Sequence, residues 1–210
     1  MDSFSTTTLD LLRHGECEGG RIFRGDTDSA LTALGERQMF ARFKSELSSA
    51  TTPWDLILTS PRQRCFQFSR KLSEETDCPF QTVDDLREIS FGDWDGMSID
   101  QLQQEQPELL QQYWDQGQRL TPPKGESLPD FQRRIQKVFD KLVTDYKGQR
   151  LLLVIHGGVL RGLIAQALQM PLASLQHIEV PHACRSQLKI FHSDGRQDWP
   201  QLVYHNLQTE

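Results

Sequence analysis

An unbroken apolar run, Leu151–Ile155, is the feature that most constrains how this chain can fold. A strand that is apolar at every position is typical of one covered by helices on both faces. The stretch after it, Val159–Leu168, is predicted as a helix, and two more strands are predicted at Thr8–Arg13 and Trp54–Thr59. Each of the three strands runs directly into a polar segment, so the sequence predicts three functional loops at strand ends.

Helical patterns separate these strands. Apolar residues recur at helical spacing after Thr32, and Ser60 is predicted to cap a helix that runs to about Leu72, with proline at its first position. Ser127 is predicted to cap a longer amphipathic helix that ends near Tyr146. Because strands alternate with helices, the sequence predicts an α/β fold: a three-layer α/β/α sandwich with a mainly parallel central sheet.

Two regions are less regular. Ser186–His192 and Leu202–Asn206 are predicted as late strands around a turn at Asp194-Gly195. The segment 98–125 is rich in glutamine and is predicted to form a mostly helical excursion that acts as a lid. We expect the whole chain, residues 1–210, to form a single domain, because its length is ordinary for one domain and no linker interrupts it.

Composition narrows the classes of function. Hydrophobic residues make up 37% of the chain and charged residues 25%, as in globular proteins, and the longest apolar run is too short to span a bilayer. The net charge of −6 argues against broad binding to nucleic acids or anionic membranes. The first residues do not resemble a signal peptide, so a cytoplasmic protein is expected. The four cysteines lack metal-ligand spacing, which argues against a zinc site or disulfides.

The three strand ends carry one kind of chemistry. Arg13 and His14 end the first strand, Arg62 and Arg64 follow the second, and His156 follows the third. Since ligands of open α/β sheets bind at the carboxyl ends of strands, we expect these side chains to meet. Arginine binds phosphate oxygens through a planar fork, and a neutral imidazole can attack phosphorus. Each residue alone is more often structural than catalytic, but together they predict a site for a phosphoryl group.

Six ordered segments extend this pattern along the chain: LRHGE at 12–16, RGDTDSALTALG at 24–35, SPRQR at 60–64, LREISFGDWDG at 86–96, GES at 125–127 and HGGVLR at 156–161. They resemble the motifs of the histidine phosphatase (phosphoglycerate mutase-like) superfamily. The resemblance implies a phosphoglycerate mutase-like fold and an enzyme that moves a phosphoryl group onto a histidine and then to water.

The resemblance also implies roles for individual residues. His14 would be the phosphorylated nucleophile, and Arg13, Arg64 and His156 would hold the phosphoryl oxygens. Glu88 would donate a proton to the leaving oxygen and then take one from water, since a carboxyl group can do both within one site.

Further residues are expected around this centre. The resemblance implies that Arg24, Gly25 and Gly157 contact the substrate as well, and that Glu126 orients arginines from behind. His182 carries no motif and is interpreted as structural. The family mechanism needs no metal and no cofactor, because arginines neutralise the charge that a metal ion neutralises in kinases.

The loop after His14 departs from the pattern of phosphoglycerate mutases. Gly20 stands where those enzymes have asparagine, Ile22 where they have arginine, and Cys17 where serine or threonine is usual. The run 18–25 instead resembles the alpha-ribazole phosphatase branch, whose members remove a 5′-phosphate during assembly of the cobalamin nucleotide loop. The predicted substrate is therefore a small phosphomonoester, alpha-ribazole 5′-phosphate.

Other readings stay open at this point. One is a phosphoglycerate mutase, or a broad-specificity sugar or nucleotide phosphatase of the same superfamily. Another, of a different class, is a non-catalytic module that only binds phosphate. The sequence predicts neither a nucleic-acid partner nor a membrane partner, and it leaves a homodimer open.

Overall fold

The computed structural model describes residues 4–48, 52–116 and 120–207. The strands within these ranges are β1 (Phe4–Arg13), β2 (Leu56–Thr59), β3 (Phe80–Thr82), β4 (Arg150–Ile155), β5 (Arg185–Ser193) and β6 (Trp199–Tyr204). The helices are α1 (Ala33–Phe40), α2 (Lys44–Leu47), α3 (Gln63–Thr76), α4 (Ile99–Glu105), α5 (Pro107–Gln116), α6 (Leu128–Asp145) and α7 (Gly157–Ala167). Short 3₁₀ turns lie at Ala41–Phe43, Asp84–Leu86, Gly92–Trp94 and Leu172–His177.

The strands form one sheet in the order β3-β2-β4-β1-β5-β6. Strands β3, β2, β4 and β1 pair in parallel, whereas β5 is antiparallel to both β1 and β6. The predicted mainly parallel sheet is therefore confirmed, with the antiparallel pairs at the end formed by the late strands.

Strand β4 explains why its sequence has no polar position. Leu151, Leu153 and Ile155 pack on one face of the sheet in a core that includes residues of α6 and α7. Leu152 and Val154 pack on the other face with residues of α1 and α3. Because successive side chains of a strand point to opposite faces, a strand covered on both sides must be apolar throughout. The predicted three-layer α/β/α sandwich is confirmed.

One of the two predicted helix caps, Ser127, is confirmed, and Thr32 caps a further helix. Thr32 Oγ1 accepts a hydrogen bond from the Gly35 amide at 2.9 Å, and Ser127 Oγ accepts one from the Asp130 amide at 3.2 Å. The prediction for Ser60 is wrong: α3 begins at Gln63, and its N-cap residue is Arg62. The Ser60 hydroxyl accepts from the Arg62 amide at 3.3 Å, before the helix begins, and it also binds a buried histidine, as described below.

Several strand boundaries differ from the predictions. Strand β1 begins four residues earlier than Thr8, and Trp54 lies outside β2, where its Nε1 donates to Asp10 Oδ2 at 2.9 Å. Strand β3 was not predicted, because a three-residue edge strand with two polar positions has no detectable period. Strand β6 starts at Trp199 instead of Leu202, and it includes a proline, which an edge strand tolerates.

The segment 98–125 forms α4 and α5 up to Gln116, residues 117–119 lie outside the described ranges, and residues 120–125 form a non-helical loop with a turn. It has a small core of its own, made by Phe23, Trp94, Leu102 and Leu110. This aromatic core joins the excursion to the loop that follows β1. None of the helices in the described part of the chain is both long and apolar enough to cross a membrane.

Candidate active site

The ends of β1 and β4 lie side by side at the carboxyl edge of the sheet. The two strands are parallel, with Arg13 in register with Ile155. The residues that follow them, His14 and His156, therefore meet, and their ring centroids are 5.3 Å apart. The predicted convergence of the first and third strand ends is confirmed.

His14 is held as a neutral imidazole. Its Nδ1 lies 2.8 Å from the Gly15 carbonyl oxygen, and since that oxygen can only accept, Nδ1 carries the hydrogen and the Nε2 lone pair remains available. Burial, followed by the charges of Arg13 and Arg64, holds the pKa of His14 well below its usual value. Cys17 Sγ lies 3.4 Å from the same Nδ1. The ring is thus prepared to act as a nucleophile at neutral pH.

The second strand end contributes Arg64, whose side chain is completely buried. Its Nε donates to His156 Nδ1 at 3.2 Å, and its two Nη atoms donate to the carbonyl oxygens of Thr27 and Gly25 at 2.8 and 3.1 Å. Arg64 therefore fastens the second strand end to the third and to the loop around residue 25. All three predicted strand ends meet.

His156 is bonded through both of its ring nitrogens. Because Nδ1 accepts from Arg64, Nε2 carries the hydrogen and donates it to Ser60 Oγ at 2.7 Å. Burial, followed by the charge of Arg64, lowers the pKa of His156 well below its usual value. Sequence reasoning assigned Ser60 to a helix cap and missed this contact, since only the pairing of β2 with β4 brings the two residues together.

Arg13 lines the cleft and has one buried donor without a partner in the described part of the chain. Its Nη1 donates to the Val180 carbonyl oxygen at 2.6 Å, whereas its buried Nε has no hydrogen-bond partner among the described residues. A Cβ added at Gly157 would lie 3.3 Å from that Nε, so the glycine keeps the space beside it open. A buried N–H without a partner is costly, and an anionic oxygen bound there would remove the cost.

Glu88 is fixed by two backbone amides. Its Oε2 accepts from the Gly158 amide at 2.9 Å and its Oε1 accepts from the Ile89 amide at 3.0 Å. A Cβ at Gly158 would come within 2.4 Å of Oε1, so the carboxylate can occupy this position only beside a glycine. Glu88 and His14 line the same cleft, which places a carboxyl group and a nucleophilic ring around one space.

The loop that carries Glu88 is held from behind by Arg134. Arg134 pairs with Glu126 through Nε at 2.9 Å and Nη2 at 2.6 Å. Its Nη1 donates to the carbonyl oxygens of Asp85 and Arg87 at 2.7 and 2.8 Å. Glu126 thus orients an arginine, as predicted, but that arginine positions the proton-transfer residue and lies outside the predicted phosphate-binding set.

The cleft above these residues has a volume of about 490 Å³. Arg24 lines it, and its Nη2 also donates to the carbonyl oxygens of Glu18 and Gly20 at 2.9 and 2.8 Å. The lining residues are Arg13, His14, Ile22, Phe23, Arg24, Glu88, Ile89, Phe91, Tyr113, Leu128, Phe131, Gly157, Gly158, Arg161, Leu175 and Gln176. Of the predicted substrate-contacting residues, Gly25, Arg64 and His156 are absent from this set.

Gly25 has a different role in this structure, because its amide donates to Asp95 Oδ1 at 3.0 Å. The Asp95 carboxylate also accepts from the amides of Asp26, Thr27 and Phe91. Burial alone would raise the pKa of Asp95, but these amide hydrogen bonds outweigh it and lower the pKa below its usual value. Asp95 therefore holds the loop that surrounds Arg64, a role that its position in the sequence did not reveal.

Three further residues near the site were not predicted. Arg161 lines the cleft one helical turn after Gly157, and its Nε donates to the Ile178 carbonyl oxygen at 2.8 Å. The ring centroid of His182 lies 6.1 Å from that of His14. Tyr113 reaches the cleft from α5. The spacing of Arg161 from Gly157 could have identified it, whereas the sequence has no signal for the other two.

Metal binding has no obvious site in the described ranges: no group of three or more His, Cys, Asp or Glu side chains there could hold a metal ion. The charged groups that face the cleft are instead the arginines and Glu88.

Comparison with known proteins identifies the class. Residues 9–201 match the family model of the histidine phosphatase superfamily (branch 1). The chain belongs to this superfamily and is a phosphatase, as the motifs predicted.

Individual relatives have narrower descriptions. The chain is 34% identical over 182 residues to the adenosylcobalamin/alpha-ribazole phosphatase of Salmonella typhimurium, which covers 86% of this chain and 89% of that one. The solved alpha-ribazole phosphatase of Shigella flexneri superposes with a TM-score of 0.81 at 28% identity, covering 95% of this chain and 96% of that one. A mycobacterial glucosyl-3-phosphoglycerate phosphatase superposes with a TM-score of 0.80 at 27% identity, over 97% and 100% of the two chains.

Proposed function

We propose that this phosphatase hydrolyses alpha-ribazole 5′-phosphate to alpha-ribazole and inorganic phosphate through a phosphohistidine at His14. The observation that carries the mechanism is the neutral His14 ring and the Glu88 carboxyl group lining one cleft. The choice of substrate is supported by the similarity to the Salmonella typhimurium enzyme and by the glycine-containing run 18–25.

In the first step, His14 Nε2 attacks phosphorus as the bond to the ester oxygen breaks. The hydrogen stays on Nδ1 and is donated to the Gly15 carbonyl oxygen, which stabilises the positive charge that develops on the ring. The unpaired Nε of Arg13 binds a phosphoryl oxygen. Glu88, in its protonated form, gives its proton to the leaving alkoxide, which is otherwise a poor leaving group.

In the second step, water attacks the phosphohistidine in line with the P–N bond. The Glu88 carboxylate takes a proton from this water, and the P–N bond breaks with its electron pair returning to His14 Nε2. The products are inorganic phosphate, a neutral His14 and a protonated Glu88, so the enzyme is ready for another cycle.

Arg64 and His156 support this site from behind. In the structure, the hydrogen-bonding atoms of both side chains are bound to protein groups, namely Ser60, the loop carbonyl oxygens and one another. A phosphoryl oxygen would therefore have to displace a partner to bind His156 directly, whereas Arg64 Nη1 has a second N–H besides the one that it donates to Thr27. Without such an exchange, the charge of Arg64 still attracts the phosphoryl group across the short distance to His14.

The test is a screen of the purified protein for phosphate release. The substrates are alpha-ribazole 5′-phosphate, adenosine 5′-monophosphate, ribose 5-phosphate and 3-phosphoglycerate, each with and without EDTA. We expect the highest kcat/KM for alpha-ribazole 5′-phosphate, with no effect of EDTA. Phosphate release from the other esters but not from alpha-ribazole 5′-phosphate would contradict the proposed substrate. Isomerisation of 3-phosphoglycerate that depends on a bisphosphate primer would instead establish a mutase.

The intermediate can be tested separately. Substrate labelled with ³²P is mixed with the enzyme, and the reaction is quenched in alkali within milliseconds, because phosphohistidine survives base and not acid. We expect protein-bound label in the wild type and none in His14→Ala. Label that persists in His14→Ala would show that another residue is the nucleophile.

A further inference from the structure

The cleft has two chemically distinct sides. One side carries the histidine, arginine and glutamate side chains that face the phosphoryl group. The other is apolar and mostly aromatic, and we call its four central residues, Ile22, Phe23, Phe91 and Tyr113, the aromatic wall. Nothing in the phosphoryl chemistry requires such a surface, since the phosphoryl group and water are both polar.

The aromatic wall is a packed structure and not a chance grouping. The Phe23 ring contacts Phe91 and Tyr113, with centroids 5.1 and 5.9 Å apart and both pairs near perpendicular. Behind them, the buried Trp94 packs edge-on to Tyr113 with centroids 5.3 Å apart. Edge-to-face packing of this kind fixes ring orientation. A ligand would therefore meet a preformed surface.

The wall is assembled from separate parts of the chain. Ile22 and Phe23 follow the loop after β1, Phe91 follows the Glu88 segment, and Tyr113 comes from α5 in the excursion. Backbone hydrogen bonds from Phe23 N to Met97 O at 2.9 Å and from Gly96 N to Phe23 O at 2.8 Å tie two of these parts together. The excursion thus completes one side of the cleft.

The chemistry of the wall selects its ligand. A bare sugar or a hydroxy acid placed against this surface would lose hydration and could gain hydrogen bonds only from the Tyr113 hydroxyl, which is unfavourable. A planar aromatic ring loses little hydration there and gains stacking or edge-to-face contacts. Burial, together with the charge of Glu88, raises the pKa of Tyr113, so this side chain is uncharged at neutral pH.

We propose that the aromatic wall binds a planar aromatic ring in the leaving group and that Tyr113 is a specificity-determining residue. The enzyme then selects phosphomonoesters of nucleoside-like alcohols over those of bare sugars and hydroxy acids. The inference rests on the proposed function in one respect, namely that the phosphoryl group sits at His14.

The first experiment uses the wild-type enzyme and three esters that share a ribose 5-phosphate unit. We expect kcat/KM for alpha-ribazole 5′-phosphate and for adenosine 5′-monophosphate to exceed that for ribose 5-phosphate by about 5- to 150-fold, the range that stacking of one base gives. Equal kcat/KM values for all three esters would contradict the proposal that the aromatic wall binds a ring of the leaving group. A high value for adenosine 5′-monophosphate with none for alpha-ribazole 5′-phosphate would overturn the proposed substrate and leave the wall intact.

The second experiment changes the wall. We expect Tyr113→Leu to raise KM for both aromatic esters by about 5-fold or more and to change kcat/KM for ribose 5-phosphate by less than about 2-fold. Tyr113→Phe keeps the ring and should behave like the wild type. Gln112→Leu, an exposed neighbour on the same helix, is the matched control. An equal loss on all three esters would show that Tyr113 has only a structural role and would contradict the proposal.

A third measurement does not depend on the stability of the variants. Alpha-ribazole, the dephosphorylated product, should inhibit the wild type competitively at a concentration about 5-fold or more below that of ribose. Inhibition by the two compounds at the same concentration would contradict the proposal even if Tyr113→Leu did not fold.

Discussion

The phosphoryl side of the cleft and the aromatic wall are built in different ways. On the phosphoryl side, His14 lines the cleft and Arg64 and His156 lie behind it. All three are buried at or shortly after the ends of central strands, and each is oriented by hydrogen bonds. On the wall, Phe91 and Tyr113 are partly exposed and come from loops and from an attached excursion. The residues proposed for phosphoryl transfer are thus held by the sheet. The residues proposed to select the leaving group lie on loops and on the excursion, which can vary in sequence without disturbing the sheet.

The largest loss of activity is expected from removing the nucleophile, which only the phosphoryl side of the cleft carries. His14→Ala should lower kcat by about 10⁴-fold or more on every ester, because no other group can carry the phosphoryl group. Phosphate release by a coupled assay measures the loss. His182→Ala, whose ring centroid lies 6.1 Å from that of His14, is the control, and we expect it to retain activity within about 10-fold. A comparable loss in both variants would mean that the nucleophile is misassigned.

Glu88→Gln should separate proton transfer from phosphoryl transfer. We expect kcat for an alkyl ester such as ribose 5-phosphate to fall by about 10²- to 10⁴-fold, since the alkoxide leaves without a proton. With p-nitrophenyl phosphate, whose leaving group needs no proton, the loss should be far smaller in the first step. Burst kinetics on the two substrates measure the difference. The same loss on both would assign Glu88 to positioning.

Arg134 tests how the Glu88 loop is held. Arg134→Leu should lower the free energy of unfolding by about 3–5 kcal/mol, because Glu126 would be left as an unpaired charge in a nearly buried position. Denaturant unfolding measures the change. Arg133→Leu replaces the adjacent arginine, whose side chain is 72% exposed, and should stay within about 0.5 kcal/mol of the wild type. Equal effects would show that the buried pair has no special role.

The smallest effect concerns pH. His14 and His156 have pKa values below the ordinary 6.5 in the folded protein, so each takes up a proton on unfolding once the pH falls below that value. The stability contributed by the neutral rings is complete above pH 6.5 and is lost as the pH falls, by up to about 1.4 kcal/mol per pH unit for each ring.

This dependence can be assigned with two variants measured between pH 6.5 and 5. His14→Gln should reduce the slope of unfolding free energy against pH, whereas His177→Gln, at an exposed position, should not. If His14→Gln left this slope unchanged, the pH dependence of stability would have to come from other groups.

Some predictions remain untested by the fold. The lid function of 98–125, the single domain over 1–210, a homodimer and a cytoplasmic location are still predictions. The helices α4 and α5 agree with a helical excursion, and the position of Tyr113 in the cleft makes α5 the part of it to examine first.

The sequence by itself indicated the strands that carry the site, since Leu151–Ile155 has the apolar pattern expected of a strand covered on both faces. It also determined which residues end the three strands, because each follows its strand directly in the chain. Local pattern is sufficient here, as hydrophobic period and chain order need no knowledge of distant contacts. Glu88 was identified only through its motif, because hydrophobic periodicity gives no signal for a single polar residue in a loop.

Only the tertiary structure decided what each of these residues touches. Arg64 and His156 are 92 residues apart, and Glu88 and Gly158 are 70 apart. The sheet order that places β4 between β1 and β2 brings the strand ends together, and no local pattern encodes that order. The same reason explains why the sequence predicts a helix cap at Ser60 and does not predict Tyr113 as a residue of the cleft. Their partners are fixed by packing between distant segments, and packing follows from the assembled core rather than from neighbouring residues.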